Sequence, residues 1–224
     1  MKPLSLLCAS AIALTVVPST TPAVEAILLN DAYTRSDYPN NTYGSAIEMR
    51  VYKSGAVTFR AFMKFDLATL PDRTIASQIQ RATLRLWVDP STTAFGLVNI
   101  HALTGPWVEK TTETGSTGLS PITHNNSQGI IGALEGPDVP GIAVDNEFVV
   151  LDITPLVKQW VSGAKPNHGI CIAPGSTATV NLFFDTKEAT ATSHQPKLEI
   201  TLAPARVPQR GDVSMGGFTN GPTP

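Results

Sequence analysis

Apolar and polar residues alternate along this chain in short stretches, the period of a strand with one buried face, and only one stretch follows the helical period. The segment "TFRAFMKFD", residues 58 to 66, carries the pattern most clearly. Phe59, Ala61, Met63 and Phe65 share one face; Arg60, Phe62 and Lys64 share the other. Turning Arg60 and Lys64 inward would bury two unpaired charges, whereas turning them outward exposes a single large ring, Phe62. The outward register is therefore expected. By the same rule "RATLRLWVD" sends Ala82, Leu84, Leu86 and Val88 inward and Thr83, Arg85 and Trp87 outward. "LVNIHAL" sends Val98, Ile100 and Ala102 inward and Asn99 and His101 outward, and in "EMRVYK" Met49 and Val51 pack while Arg50 and Tyr52 face away.

The pattern predicts strands near 27–33, 47–53, 57–66, 81–88, 97–103, 148–153, 169–173, 179–185 and 197–202, separated by clusters of Gly, Pro, Asn and Ser. The second and third form a hairpin through Ser54 and Gly55. One short helix is expected over about 155–162, with Thr154 as N-cap, Pro155 in the first position, Leu156, Val157 and Trp160 as its apolar stripe and Gly163 as its stop. The fold class is all-β, a β-sandwich. Residues 105–147 read as a long loop rich in Gly, Thr, Ser and Pro, and from Pro204 the tail loses apolar alternation and is expected to be disordered. Its Arg-Gly-Asp tripeptide at 210–212 reads as a chance occurrence.

With 224 residues, 42% hydrophobic and 15% charged, the chain has material for one core. Residues 1–26 read as a secretory signal peptide: Lys2, an apolar run from Leu4 to Val17, then small residues offering cleavage after Ala23 or Ala26. That run is too short to span a bilayer and no later segment approaches the length required. The expected organisation is signal peptide 1–26, sandwich domain 27–203 and tail 204–224, in a secreted, extracellular protein. The net charge is -2, so nothing global draws the protein to nucleic acid or membrane. Cys8 leaves with the leader, and Cys171, in the apolar run "GICIA", reads as an inert buried thiol.

The outward set is Arg50, Tyr52, Arg60, Phe62, Lys64, Arg85, Trp87 and His101, with no carboxylate among them. Sugars lay apolar C–H faces on aromatic rings, and acidic sugars add carboxylate or sulfate groups that arginine grips bidentately. As one contiguous face this set is a candidate ligand-binding surface for a polysaccharide, with an acidic one the best fit. The same residues on an exposed strand also serve solubility, and Phe62 and Trp87 would then lie under the 105–147 loop.

The ordered segments "DAYTRSDYPNNTYGSA", "AFMKFDLATLP", "IQRATLRLWV", "GPWVEKTT", "LDITPLVKQWVSG", "NHGICIAP", "FFDTKE" and "PKLEITL" resemble secreted DNRLRE-type domains, grouped with carbohydrate-binding module family 96 and with disaggregatase-related β-sandwich modules. The resemblance runs from Asp31 to Leu202. It implies a jelly-roll sandwich with glycan binding, including acidic glycans such as alginate, and no catalytic machinery. The chain departs from the family after "WVEKTT", where a second tryptophan followed by Asn and Pro gives way to "ETGSTGLSP".

No catalytic constellation is evident. The four histidines lie on separate segments without zinc spacing, and there is no nucleophile elbow or phosphate loop. Glu109 and Glu113 read as solvated loop acids rather than a glycosidase pair. Tyr52, His101 and Arg60 are the stronger suspicion, for a polysaccharide lyase. No cofactor or metal is expected; Asp31, Asp152 and Asp185 are the candidates if a structural calcium ion is held, although Asp152 and Asp66 more readily brace nearby backbone. The functional expectation is a non-catalytic module whose partner is a polysaccharide. An adhesive surface domain with an extracellular protein partner is the alternative.

Overall fold

The computed structural model describes residues 23–110, 118–136 and 139–203. The stretch 1–22, Glu113 and the tail from 204, with its Arg-Gly-Asp tripeptide, lie outside the described residues. The strands are β1 (Ala23–Arg35), β2 (Glu48–Ser54), β3 (Val57–Asp66), β4 (Ile79–Val88), β5 (Gly96–Leu103), β6 (Ile131–Leu134), β7 (Val139–Ile142), β8 (Glu147–Asp152), β9 (Ile170–Pro174), β10 (Val180–Asp185) and β11 (Lys197–Leu202), with helices α1 (His124–Ser127) and α2 (Thr154–Ser162). Every strand expected from the alternation is present. β6 and β7 are additions inside the expected 105–147 loop, where they pair with β5 through irregular registers.

The strands pair antiparallel along the path β1-β11-β4-β10-β2-β3-β9-β5-β6, which doubles back on itself because β1 also pairs with β3. The result is an all-β sandwich. One layer holds β8, β4, β11, β10 and β2, the other β3, β9, β5, β6 and β7, and β1 crosses between them. Its first residues, Ala23 to Ala26, pair with β11, and Ile27 to Arg35 pair with β3. The folded ladder thus begins ahead of residue 27.

Parity sets what lies between the layers. Met49, Val51, Leu84, Leu86, Leu182, Phe184, Leu198 and Ile200 meet Phe59, Ala61, Met63, Phe65, Ile100, Ile170 and Ile172 in the main core. Close pairing of β3 with β9 depends on Gly169, at φ 94, where a Cβ would stand 2.2 Å from the Met63 carbonyl oxygen. Helix α2 buries Leu156, Val157 and Trp160 as expected and stops at Gly163 in the left-handed region, φ 74. Its start differs. Ile153 occupies the N-cap position; Asp152 Oδ1 accepts from the Thr154 amide at 2.9 Å, and the Thr154 hydroxyl accepts from the Ala82 amide at 2.8 Å, tying the helix to β4.

A second apolar cluster decides between the two readings of Phe62, overturning the exposed one in favour of cover by the 105–147 segment. Phe62, assigned to the exposed face of β3, is fully buried with Ala32, Leu103, Trp107, Ile122 and Cys171. Residues 104–110 and 118–130 lie over the outer side of β3 and β9, with Trp107 edge-on to Phe62 at 6.0 Å. The indole of Trp107 donates to the His168 carbonyl at 2.9 Å, so the covering segment is fixed by a directed bond as well as by apolar contact. A strand face with one large ring between two cations acquires its own small core.

Candidate functional site

The eight outward residues do not form one surface. Arg60 and His101 lie on the outer side of β3 and β5, where they line a cleft of about 390 Å³ with Lys53, Thr58, Gln128, Ile131, Ala173 and Pro174. Lys64 stands further along β3, separated from Arg60 by the covered Phe62. Arg85 and Trp87 belong to β4, in the other layer, and Arg50 and Tyr52 lie on the opposite side of the β2–β3 hairpin from the cleft.

The hairpin explains that last division. Lys53 pairs with Thr58 and Tyr52 with Phe59, so alternate residue pairs point to opposite sides. The strands diverge into different layers beyond the turn at Gly55, φ 57. On one side Lys53 and Thr58 reach the cleft; on the other Tyr52 stacks on Phe59 with ring centroids 4.6 Å apart.

In the cleft Arg60 donates to Gln128 Oε1 at 3.0 Å and Lys53 to the Gly175 carbonyl at 3.3 Å. His101 Nδ1 lies 3.0 Å from the Gly132 carbonyl, which can only accept, so Nδ1 carries the hydrogen. Nε2 is then an acceptor when the ring is neutral and a donor when it is protonated. Gln128 is itself fixed by donating to the His124 carbonyl at 2.8 Å. Among the described residues no carboxylate lines the cleft, while Ile131, Ala173 and Pro174 supply an apolar wall. Cationic donors beside an apolar wall suit a sugar that carries acid groups. Beneath, Cys171 is fully buried, and burial pushes its thiol up to about 12, the inert state expected of it.

Across the hairpin, arginines and rings interleave. Arg35 pairs bidentately with Asp37 at 3.0 and 2.7 Å, which holds the Asp37 carboxyl below its usual range, and lies 4.5 Å from the Phe59 ring. Arg50 lies 5.1 Å from the same ring and 4.2 Å from Phe183, and donates to Asn181 Oδ1 at 2.9 Å. Tyr33 stacks on Tyr43 at 4.5 Å.

The outer face of β4 is self-satisfied. Arg85 is ion-paired with Glu199 at 2.8 Å and lies over Phe148, and Trp87 stacks on His194 at 3.7 Å.

A buried ionic hub joins three distant segments. Asp31, Glu109 and Glu188 direct carboxylate oxygens to within 4.8 Å of one another, and Lys187 Nζ hydrogen-bonds all three: Asp31 at 3.0 Å, Glu188 at 2.7 Å, and Glu109. Lys110 adds a second ammonium, 2.9 Å from Glu109. Burial raises the Asp31 carboxyl to about 6 against the pull of Lys187. These three carboxylates are the oxygen donors a hard cation would use, and Lys187 already neutralises them from within. The sequence grouping of Asp31 with Asp152 and Asp185 does not assemble: Asp152 braces α2, and Asp185 accepts from Thr192 at 2.8 Å and faces His194 at 3.4 Å. Asp66 likewise accepts from the Ala68 amide at 2.9 Å, the bracing role expected of it. Glu109, expected to be solvated, is 3% exposed.

Lys53, Gln128 and Arg35 were not among the sequence candidates. Parity places Lys53 with inward Val51, and only the divergence at the hairpin turns it toward the cleft. Gln128 sits at the end of four-residue α1, whose signal is the Thr123 to Asn126 capping box rather than any periodicity.

The family model for carbohydrate-binding module family 96 matches residues 22–202, and the chain belongs to that family. A comparison with curated proteins found no match.

Proposed function

We propose that this member of carbohydrate-binding module family 96 is an exported, non-catalytic module that binds an acidic polysaccharide in the cleft between the β2–β3 hairpin and β5. The observation that carries the reading is the convergence of Lys53, Arg60 and His101 on one apolar-walled cleft with no lining carboxylate among the described residues. Arg60 spends one hydrogen bond on Gln128, leaving guanidinium donors for a uronate carboxylate or a sulfate. Ile131 and Pro174 meet the C–H faces of the ring. The lyase arrangement of Tyr52, His101 and Arg60 is disfavoured because Tyr52 is stacked on Phe59 across the hairpin.

Native electrophoresis through gels containing an acidic or a neutral polysaccharide tests this. Retardation by the acidic polymer alone is expected, weakening with added salt and lost in Arg60→Ala. Equal mobility of wild type and variant in every gel refutes the cleft. Incubation with the same polymers should release no reducing or unsaturated ends.

A second reading is an adhesive surface with a protein partner. It is favoured by Val150, 52% exposed beside Phe148 on β8, a strand that among the described residues pairs only with β4. Binding that survives Arg60→Ala and fails in Val150→Lys would select it.

A further inference from the structure

Arg50 is held unlike Arg35 and Arg85, the two ion-paired arginines of the sandwich. Arg35 has Asp37 and Arg85 has Glu199, each at ion-pair distance, whereas among the described residues no carboxylate lies within that distance of Arg50. Its guanidinium is walled by Phe183 at 4.2 Å, Phe59 at 5.1 Å and Tyr52 at 5.7 Å. One nitrogen donates to Asn181 Oδ1, and Nε is buried with no partner. Desolvation by these rings also lowers the Arg50 pKa. A guanidinium partly desolvated among rings, with no carboxylate at ion-pair distance, is costly to keep, and an oxyanion seated against its terminal nitrogens would supply the missing close counter-charge. The planar fork selects a carboxylate or sulfate, and the flanking rings select a group borne on a sugar.

The register places this position across the hairpin from the cleft. Arg50 and Lys53 are three residues apart on β2, about 10 Å along the strand, and project to opposite sides. We propose that Arg50, with Asn181 and Tyr52, forms a second oxyanion subsite, so that one acidic chain crosses the β2–β3 hairpin and is gripped on both sides of it. The inference rests on the cleft binding an acidic glycan and adds that the ligand is an oligomer, since a single sugar cannot reach both anchors. Two anchors on one chain raise affinity with length until both are engaged, and then the gain stops.

The test is calorimetric titration with two size-graded series, oligouronates and sulfated oligosaccharides, against wild type, Arg50→Gln, Arg50→Lys and Arg60→Ala, each checked by thermal denaturation for an intact fold. For wild type, affinity should rise on the order of tenfold or more between the shortest and longest oligomers of one series, which identifies carboxylate or sulfate as the group bound. Arg50→Gln should bind short oligomers as wild type does and lose the rise, with Arg50→Lys in between; Arg60→Ala should weaken binding at every length. Arg50→Gln tracking wild type at all lengths overturns the second subsite and leaves the cleft standing. Arg60→Ala without effect, or no binding of either series by wild type, overturns the cleft and the crossing with it.

Discussion

The outer faces of β3 and β4 carry nearly the same sequence pattern and meet opposite fates. Each alternates cations with a large ring: Arg60, Phe62 and Lys64 on one, Arg85 and Trp87 on the other. On β4 the neighbouring strand offers Glu199 diagonally from the arginine, whose direct cross-strand partner is Lys197, and His194 covers the indole, so charge and ring are both matched. On β3 the neighbours offer Cys171 and Ala32 at the cross-strand positions of Phe62, apolar groups that recruit Trp107 as a cover. Arg60, just beyond that cover, finds an amide and a cleft instead of a carboxylate. The side chains within reach on neighbouring strands, more than the strand's own composition, decide whether a basic strand face is a finished surface or an open one.

The largest expected effect lies where the two faces differ most in burial. Phe62→Ala should cost about 3–5 kcal/mol in chemical denaturation, and Trp87→Ala clearly less, because only Phe62 is enclosed on all sides. Equal costs would erase the distinction. Next is the hub that anchors the β3 cover through Glu109. Asp31 titrates near 6 in the folded chain against an ordinary 3.8, so its contribution to stability is full below pH 4 and is lost as pH rises through 6. Asp31→Asn should flatten that limb, on the order of 2–3 kcal/mol in denaturation midpoints taken from pH 4 to 7. Glu188, held below its ordinary value by Lys187 and Lys110 despite its burial, acts with the opposite sign and weakens the fold only on further acidification. Smaller again, Arg60→Ala should cost about tenfold in affinity for an acidic polysaccharide with little change in melting temperature. Smallest, Arg85→Ala removes a half-exposed ion pair and should shift stability by less than about 1 kcal/mol and binding by less than twofold.

Much of the fold could be read from alternation because a one-residue slip would bury charge, as at Arg60 and Lys64 or Arg85. Helix α2 was legible from Pro155 and Gly163, and the inertness of Cys171 from its apolar neighbours. Layer membership was not. Nothing local to β3 or β4 states which strand will lie beside it, so eight outward residues read as one face when the chain distributes them over three places. The hub was equally hidden, since Asp31, Glu109 and Lys187 come from segments 78 residues or more apart and each is unremarkable alone. Lys53 was concealed by the parity rule that worked elsewhere, because that rule holds along a strand and gives way where a hairpin parts between layers.

One titration addresses the contrast at its centre: the affinity of Arg60→Ala and of Arg85→Ala for the same acidic polysaccharide, at equal ionic strength, with each fold checked by its melting curve. Binding should fall about tenfold in the first and hold within about twofold in the second. The reverse order, or equal losses, would contradict it and move the recognition surface to the other layer.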